Sequence, residues 1–173
     1  MRRRCWLFAV TLGAVVGCGG STPSAPSIPQ VAGKWTGTAT LLSATGGECL
    51  AQGVVPFIGM SHAFSLDVTQ TGSVASATIG TCSYTGTVTA TGFSLSVSQG
   101  SCTQVDQNVV VCPNGAARFT QLVSSVLSFA VNGNIATGTD TDSTNVIAAF
   151  ENGVQVGGVV GVLTTTASIS VSR

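Results

Sequence analysis

The side chains suited to acid–base or nucleophilic chemistry are few in this chain. Its 173 residues include six acidic residues, six basic residues and one histidine, His62. A Ser–His–Asp triad would have to use His62, but residues 59–62 (GMSH) lack the second glycine of the Gly-x-Ser-x-Gly turn. No glycine-rich loop followed by a lysine is present to cradle a phosphate. We therefore expect that the protein is not an enzyme.

Two carboxylates stand two residues apart, at Asp140 and Asp142. On a strand they would share a face, and in a loop they would offer oxygen ligands to Ca²⁺. Calcium normally takes six or more oxygens, and the twelve-residue calcium-loop pattern is missing here. We expect solvated turn residues, with no metal and no cofactor. Nothing places Glu48, Asp106 or Glu151 in a pair suited to glycoside chemistry.

The first residues have the layout of a secretory signal. Residues 2–4 are arginines, and residues 5–17 are apolar apart from Thr11 and end in small side chains. This stretch is shorter than the roughly 20 residues that a membrane-spanning helix needs. A charged head followed by a short apolar helix is typical of export signals that are cleaved off. Residues 1–17 are therefore predicted to be a signal peptide.

The end of this segment carries a more specific motif. Val15-Val16-Gly17-Cys18 resembles the lipobox of bacterial lipoproteins: a branched apolar residue, a small or branched one, glycine or alanine, then cysteine. The resemblance implies that Cys18 carries a diacylglycerol on its thiol and becomes the first residue after cleavage. Two or more acyl chains hold a protein stably at a membrane. Gly19 stands where the family's inner-membrane signal has aspartate, which implies the outer membrane.

Residues 18–30 are predicted to be the lipidated cysteine followed by a tether. The segment GGSTPSAPSIPQ is rich in glycine, serine and proline and has no periodic apolar pattern, which is typical of a flexible linker. After cleavage three basic residues face six acidic ones, a formal net charge of −3. No basic run exists that would bind nucleic acid phosphates. The expected partner of the tether is a lipid surface, with the folded domain standing clear of it.

Four further cysteines, Cys49, Cys82, Cys102 and Cys112, are predicted to form two disulfides, because exported proteins fold in an oxidising environment. Zinc binding is less favoured, since no Cys-x-x-Cys occurs and there is one histidine. Cys102 with Cys112 would close the polar segment between them as a loop. Cys82 with Cys102 would instead link neighbouring strands. All three pairings remain open at this point.

Residues 31–173 are predicted to be one all-β domain. Apolar and polar residues alternate, as in Phe64, Leu66 and Val68, which is typical of strands with one buried face. The predicted strands are 33–44, 51–58, 62–70, 73–82, 84–90, 93–99, 105–112, 117–123, 126–132, 135–141, 145–151 and 159–172, some of them parts of one bulged strand. Turns are predicted at Thr71-Gly72, Thr91-Gly92, Asn114-Gly115, Asn132-Gly133 and Asn152-Gly153. These strands favour an antiparallel up-and-down barrel or curved meander of 8–10 strands, with a β-sandwich as the alternative.

The start of the domain supports the barrel. Gly33-Lys34-Trp35 resembles the Gly-x-Trp motif of the first lipocalin strand, and Gly33-Lys34-Trp35-Thr36 resembles the opening of avidin-like barrels. In both families the tryptophan packs across one end of the barrel, which implies that role for Trp35. Biotin binding is not implied, because Gly37 and Leu41 stand where avidins have polar ligands. The alternative for Trp35 is an ordinary core aromatic.

These observations leave the biochemical role open. One hypothesis is a lipid-anchored, lipocalin-like barrel whose interior of Phe, Leu and Val accepts a small, apolar ligand. The other is a structural or interaction lipoprotein with a filled core and no ligand. An internal cavity of roughly 300 Å³ or more would favour the first hypothesis.

Overall fold

The computed structural model describes residues 27–47, 49–98, 101–102, 105–112, 117–148, 150–151, 154–155 and 157–173. The predicted signal peptide, Cys18 and the tether up to residue 26 lie outside the described residues. The strands are β1 (Gly33–Gly46), β2 (Ser61–Thr71), β3 (Val74–Ile79), β4 (Cys82–Val88), β5 (Gly92–Val97), β6 (Val105–Val111), β7 (Ala117–Asn132), β8 (Ile135–Ile147), β9 (Phe150–Glu151), β10 (Val154–Gln155) and β11 (Val159–Ser172). A helix α1 (Leu50–Val54) and a 3₁₀ turn (Val55–Phe57) lie between β1 and β2.

Eight strands form a closed antiparallel ring. The order around it is β1-β2-β3-β4-β5-β7-β8-β11, and β11 returns to pair with β1. The ring closes where β5 pairs with β7, Gly92 opposite Ala130 and Ser96 opposite Val126. Strand β6 pairs with the other half of β7, and β9 and β10 form a separate hairpin. The prediction of an all-β up-and-down barrel is confirmed, and the chain does not form the alternative sandwich of two sheets.

One end of the barrel, which we call the filled end, is packed around Trp35, a fully buried side chain. Its indole N–H donates a 2.8 Å hydrogen bond to the carbonyl of Val31. The Trp35 ring lies 6.3 Å from the ring of Phe93, which stacks on Phe129 at 4.7 Å. The Arg173 guanidinium lies over the indole ring of Trp35, 4.8 Å from the ring centre. The cation and the aromatic rings together close this end to water.

Both ends of the described chain lie at the filled end. The Val31 amide donates to the side-chain oxygen of Gln70 at 2.7 Å, and the Gln70 amide donates to the carbonyl of Pro29 at 3.2 Å. The Arg173 guanidinium donates to the carbonyl of Ala32 at 3.1 Å. The segment that precedes β1 and the last residue of the chain are therefore held side by side.

The barrel is uneven in height. Strands β1, β7, β8 and β11 have 13–16 residues, whereas β3, β4 and β5 have six or seven. The long strands project beyond the short ones at the end opposite Trp35, which we call the open end. There α1 packs Leu50 against Val146 and Leu163, two residues on the inner faces of β8 and β11. Helix α1 thus covers the long side of the open end only.

Two glycines let the chain leave β1 toward α1. Gly46 and Gly47 have φ angles of 74° and 65°, a left-handed conformation that other residues rarely adopt. A Cβ on Gly47 would come within 2.7 Å of the Leu163 side chain, so the chain passes closely over this residue. This path places α1 where the sequence predicted a strand over 51–58, and that prediction was wrong. The segment has no alternation of apolar and polar residues, and Pro56 lies in the first positions of a 3₁₀ turn there.

The strand predictions on either side of this segment are largely confirmed. The β2–β3 and β7–β8 turns use Gly72 and Gly133, both at φ 60°, as predicted from Thr71-Gly72 and Asn132-Gly133. The two strands predicted at 117–123 and 126–132 form one strand, β7, with a register shift between Leu122 and Ser124. The predicted turns at residues 114–115 and 152–153 lie outside the described residues.

The four cysteines form two pairs, Cys49 with Cys112 and Cys82 with Cys102, with Cα–Cα distances of 5.5 and 5.0 Å. These distances are in the normal range for disulfides. Two pairings of Cys102 were considered from the sequence. The structure has Cys82–Cys102 and does not have Cys102–Cys112. The first bond fixes the residue before α1 to the end of β6, and the second fixes the start of β4 to the segment after β5. Both lie at the open end.

We expect the two disulfides to stabilise the protein unequally. They span 63 and 20 residues of sequence, and in the chain-entropy model the longer loop contributes about 1 kcal/mol more. Removing the long link with Cys49→Ser and Cys112→Ser should therefore cost more stability than Cys82→Ser with Cys102→Ser. Denaturant unfolding of both double variants under the same conditions measures the difference. A larger loss for the short-loop pair would contradict this expectation.

Candidate functional site

A cavity of about 590 Å³ occupies the open end of the barrel and continues through its side, since its lining also includes the outer-face residues Lys34, Ser65 and Asp67. Packed aromatic and aliphatic side chains fill the opposite half of the barrel, so the cavity has a solid floor. Its apolar wall comes from β1, β2 and β3. Residues of this wall are Ala39, Leu41, Phe64, Leu66 and Ile79. The facing wall is polar and is built mainly by β4, β8 and β11, with Tyr84, Asp140, Asp142 and Thr165.

The cavity opens through the side of the barrel. Strand β2 pairs with β1 from Ser61 to Val68, but it pairs with β3 only from Asp67 onward. Strand β3 ends at Ile79, so no described strand covers the β3 side of β2 between residues 61 and 66. Both margins of this gap, Ser65 on β2 and Gly80 in the β3–β4 turn, line the cavity. The short strands therefore leave a lateral entrance opposite the side that α1 covers.

Asp140 and Asp142 lie on the inner face of the barrel. They belong to β8, a continuous strand, with Asp140 opposite Ala167 and Asp142 opposite Thr165 on β11. The expectation that they are solvated turn residues was wrong, and the weighed alternative of two carboxylates sharing one strand face is what the structure has. The reason is that the chain runs through residues 142–144 without a turn, because β7 and β11 pair with it on both sides.

A chain of hydrogen bonds crosses the barrel from β4 to β8. The hydroxyl of Tyr84 donates to Oγ of Ser125 at 3.1 Å, and that hydroxyl donates to Oδ1 of Asp140 at 3.1 Å. Ser125 is 1% exposed and lies on β7 beside Asp142. Burial without a partner would be costly for each of these groups, and the chain satisfies one oxygen of the carboxylate pair.

Burial and the neighbouring acid change how this site titrates. The pKa of Asp140 is raised to about 7, first by burial and then by the negative charge of Asp142, while the bond from Ser125 opposes the shift. The pKa of Tyr84 is also raised, mainly by burial. A hydrogen bond shared with Asp142 by the protonated carboxyl raises the pKa of Asp140 further, and Oδ1 of Asp142 is buried with no donor from the neighbouring strands. The site therefore presents an orphaned acceptor and negative charge that grows as the pH rises through about 7.

Other residues singled out from the sequence lie elsewhere. His62 is exposed at the rim of the cavity, and Ser61 points to the other side of β2, where its hydroxyl lies 2.6 Å from that of Thr40. Neighbouring residues on a strand face opposite ways, so these two do not form a catalytic pair. Trp35 lies at the filled end, away from the cavity. Cys18 and Glu48 lie outside the described residues.

Within the described ranges, no group of three or more His, Cys, Asp or Glu side chains is placed to hold a metal ion. No helix in the part of the chain that the structure describes is long and apolar enough to cross a membrane.

The sequence did not predict that Tyr84 and Ser125 belong to the site, or that Asp140 faces the cavity. A signal for the two acids was nevertheless present in residues 135–144 (IATGTDTDST), where threonine occupies every second position between 137 and 141. This alternation continues the strand that Ala136 and Gly138 begin, and it puts both acids on the buried face. Ser125 had no such signal, because its burial depends on the position of β7 in the ring.

Comparison with known proteins adds no relative: no family model, no curated protein and no solved structure matches this chain. The class that the fold and site define is an eight-stranded antiparallel barrel with a lateral, partly acidic cavity.

The raised pKa of Asp140 predicts an unusual dependence of stability on pH. Between about pH 4 and about pH 7 the folded state keeps a proton that the unfolded chain has lost, so the free energy of unfolding should fall as the pH rises. Asp140→Asn removes the charge and should flatten this slope, leaving the variant more stable than the wild type above about pH 7. Denaturant midpoints measured across this range test it.

The exposed Asp67 provides the matched control for this measurement, since Asp67→Asn makes the same charge change on the outer face of β2. That variant should keep the wild-type slope. If Asp140→Asn has the same pH profile as the wild type, the carboxyl of Asp140 is not the group responsible.

Proposed function

We propose that the chain is an exported, lipid-anchored lipoprotein whose barrel binds a small ligand with an apolar part in its open end. The cavity of about 590 Å³ carries this proposal. It exceeds the minimum expected for a binding barrel and falls in the 300–1,000 Å³ range of typical small-molecule sites. The other sequence hypothesis, a barrel with a completely filled core, does not account for this space.

The framework around the cavity supports a preformed site. Two disulfides and α1 hold the rim, and the stacked rings at the filled end give the cavity a rigid floor. A site of this kind loses little conformational entropy when a ligand enters, which favours binding. Leu41 and Phe64 offer an apolar surface beside the entrance.

The position of the entrance agrees with attachment through Cys18. The chain reaches the barrel at its filled end, where Val31 is held by Gln70. A tether that arrives at this end leaves the lateral entrance at the opposite end unobstructed. The resemblance of residues 15–18 to a lipobox supports the anchor itself.

Filling the cavity should abolish ligand binding. Ala167 lines the cavity next to Asp140, whereas Ala130 is exposed on the outside of β7. Full-length chain recovered from cell envelopes in lipid nanodiscs should carry a non-covalent ligand in native mass spectra, and this mass should be lost in Ala167→Phe but kept in Ala130→Phe. Circular dichroism checks that both variants fold. An empty wild-type protein that also gains no thermal stability from panels of lipids and amphiphiles would contradict the proposal.

The anchor is tested with the two cysteines of the leader region. When cells are fed an alkyne fatty acid, the wild-type chain should incorporate the label and fractionate with membranes. Cys18→Ser should lose the label, and Cys5→Ser should retain it, because the predicted cleavage removes residue 5. Equal labelling of the two variants, or an uncleaved leader in the wild type, would contradict a lipobox at residues 15–18.

A protein-binding role is the second candidate, and one observation favours it. Val55, Phe57, Ile58 and Met60 are all exposed at the open end, with exposed fractions of 41–58%. Exposed apolar groups of this kind often contact partners. If the wild-type nanodisc sample carries no native ligand and residue 57 reproducibly cross-links to an envelope protein, protein binding is favoured over ligand binding.

A further inference from the structure

We propose that the cavity is specific for amphiphilic cations, binding a protonated amine against Asp140 and Asp142 and the apolar part of the same molecule against Leu41 and Phe64. This inference rests on the proposed function, since it names the class of ligand that the cavity takes. It replaces the purely apolar ligand expected from the sequence.

The orphaned oxygen of Asp142 is the first argument. Oδ1 of Asp142 is buried in the wall of the cavity and receives no hydrogen bond from a neighbouring strand, whereas Asp140, two residues along β8, accepts one from Ser125. The protonated carboxyl of Asp140 shares a hydrogen bond with Asp142, so Asp142 loses this donor when Asp140 ionises. Buried carboxylate oxygens normally have partners, and an unpaired one carries a large desolvation penalty. An ammonium group offers three donors and a positive charge, so it can satisfy this oxygen and its neighbour together.

The charge of the surrounding elements is the second argument. The groups that face the two acids are the Tyr84 hydroxyl from β4, Ser125 from β7, and Thr165 and Ala167 from β11. All of these are uncharged side chains. The inner wall of the described barrel thus places two acids together with no basic residue between them.

Basic groups near the cavity lie at its margin. Lys34 is exposed on the outer face of β1, in register with Asp67 on β2, and His62 is exposed at the rim. Both are on the β1–β2 side of the cavity, whereas the two acids are on β8. A cationic ligand would add positive charge directly beside the acids at the inner wall.

The apolar wall selects the remainder of the ligand. Phe64 and Ile79 lie on β2 and β3, away from the acids on β8, and Leu41 lies in the same row as Asp140 with Ala167 between them. A small inorganic cation would leave these side chains in contact with water. An amine with a short hydrocarbon chain covers them, and burial of each methylene contributes about 0.8 kcal/mol.

Binding of such a cation is linked to proton release. A positive charge beside the pair favours the ionised form of Asp140, whose pKa is raised to about 7 in the free protein. Amine binding below this pH must displace a proton, so affinity should rise with pH up to about 7 and then level off. An alcohol of the same length has no charge and should bind with little dependence on pH.

Three probes with the same chain length, n-octylamine, 1-octanol and octanoate, separate the effect of head-group charge on affinity from that of the hydrocarbon chain. Tyr84 is the single tyrosine of the chain and lies between the cavity and Ser125, so incorporation of 3-fluorotyrosine gives one ¹⁹F resonance that reports on the site. Titrations use the full-length protein in phosphatidylcholine nanodiscs at pH 8 and pH 5. Asp140→Asn with Asp142→Asn is the test variant. Thr137→Asn with Thr139→Asn, at two exposed positions on the outer face of the same strand, is the control.

We expect octylamine to bind at least tenfold more tightly than octanol at pH 8, and octanoate to bind most weakly. The preference should be smaller at pH 5 and should disappear in the double variant, while the control stays within twofold of the wild type. Removing buried charge leaves the fold intact or stabilises it, and octanol binding to the double variant verifies this. Equal affinities for amine and alcohol, or an unchanged preference in the double variant, would overturn the inference and leave ligand binding standing. If none of the probes binds, the proposed function fails as well.

Discussion

The pairing of β5 with β7 is the constraint on which the whole molecule depends. These strands are separated in sequence by β6, yet five residue pairs join them and close the ring. Closure removes the exposed edges that an open sheet would have, in a domain with few charged residues to protect them. It also turns the inner faces of all eight strands toward one another. The stacked rings at the filled end and the cavity at the open end both follow from this geometry.

The unequal strand lengths determine what the ring encloses. A barrel of eight strands has an interior that side chains can fill, and at the filled end they do so. Where β3 and β4 stop, the facing β8 continues with small or polar inner residues, and the space above Tyr84 is left unfilled. The cavity thus arises because one wall is short and because the residues of the other are small. The hydrogen bond from Ser125 satisfies one oxygen of the acid pair in this space.

The sequence predicted the fold well and the site poorly, for physical reasons. Alternation of apolar and polar residues is a local property, and it identified the strands around Phe64 and Phe93 and the barrel they build. The segment at 51–58 was mistaken for a strand because apolar content alone does not distinguish a strand from a short helix. Asp140 and Asp142 were assigned to a turn on residue type, although the threonines beside them follow the strand pattern. The contact between Tyr84 and Ser125 joins residues 41 positions apart, and no local pattern encodes it.

The adjacency of Arg173 and Ala32 at the filled end has a practical consequence for labelling. A fluorescent protein or an affinity tag joined after residue 173 emerges beside the N-terminal segment, about one barrel length from the cavity. Such a fusion leaves diffusion into the lateral gap unhindered. Linking the two ends by a short peptide and opening the chain at the β2–β3 turn would likewise preserve every wall of the binding chamber.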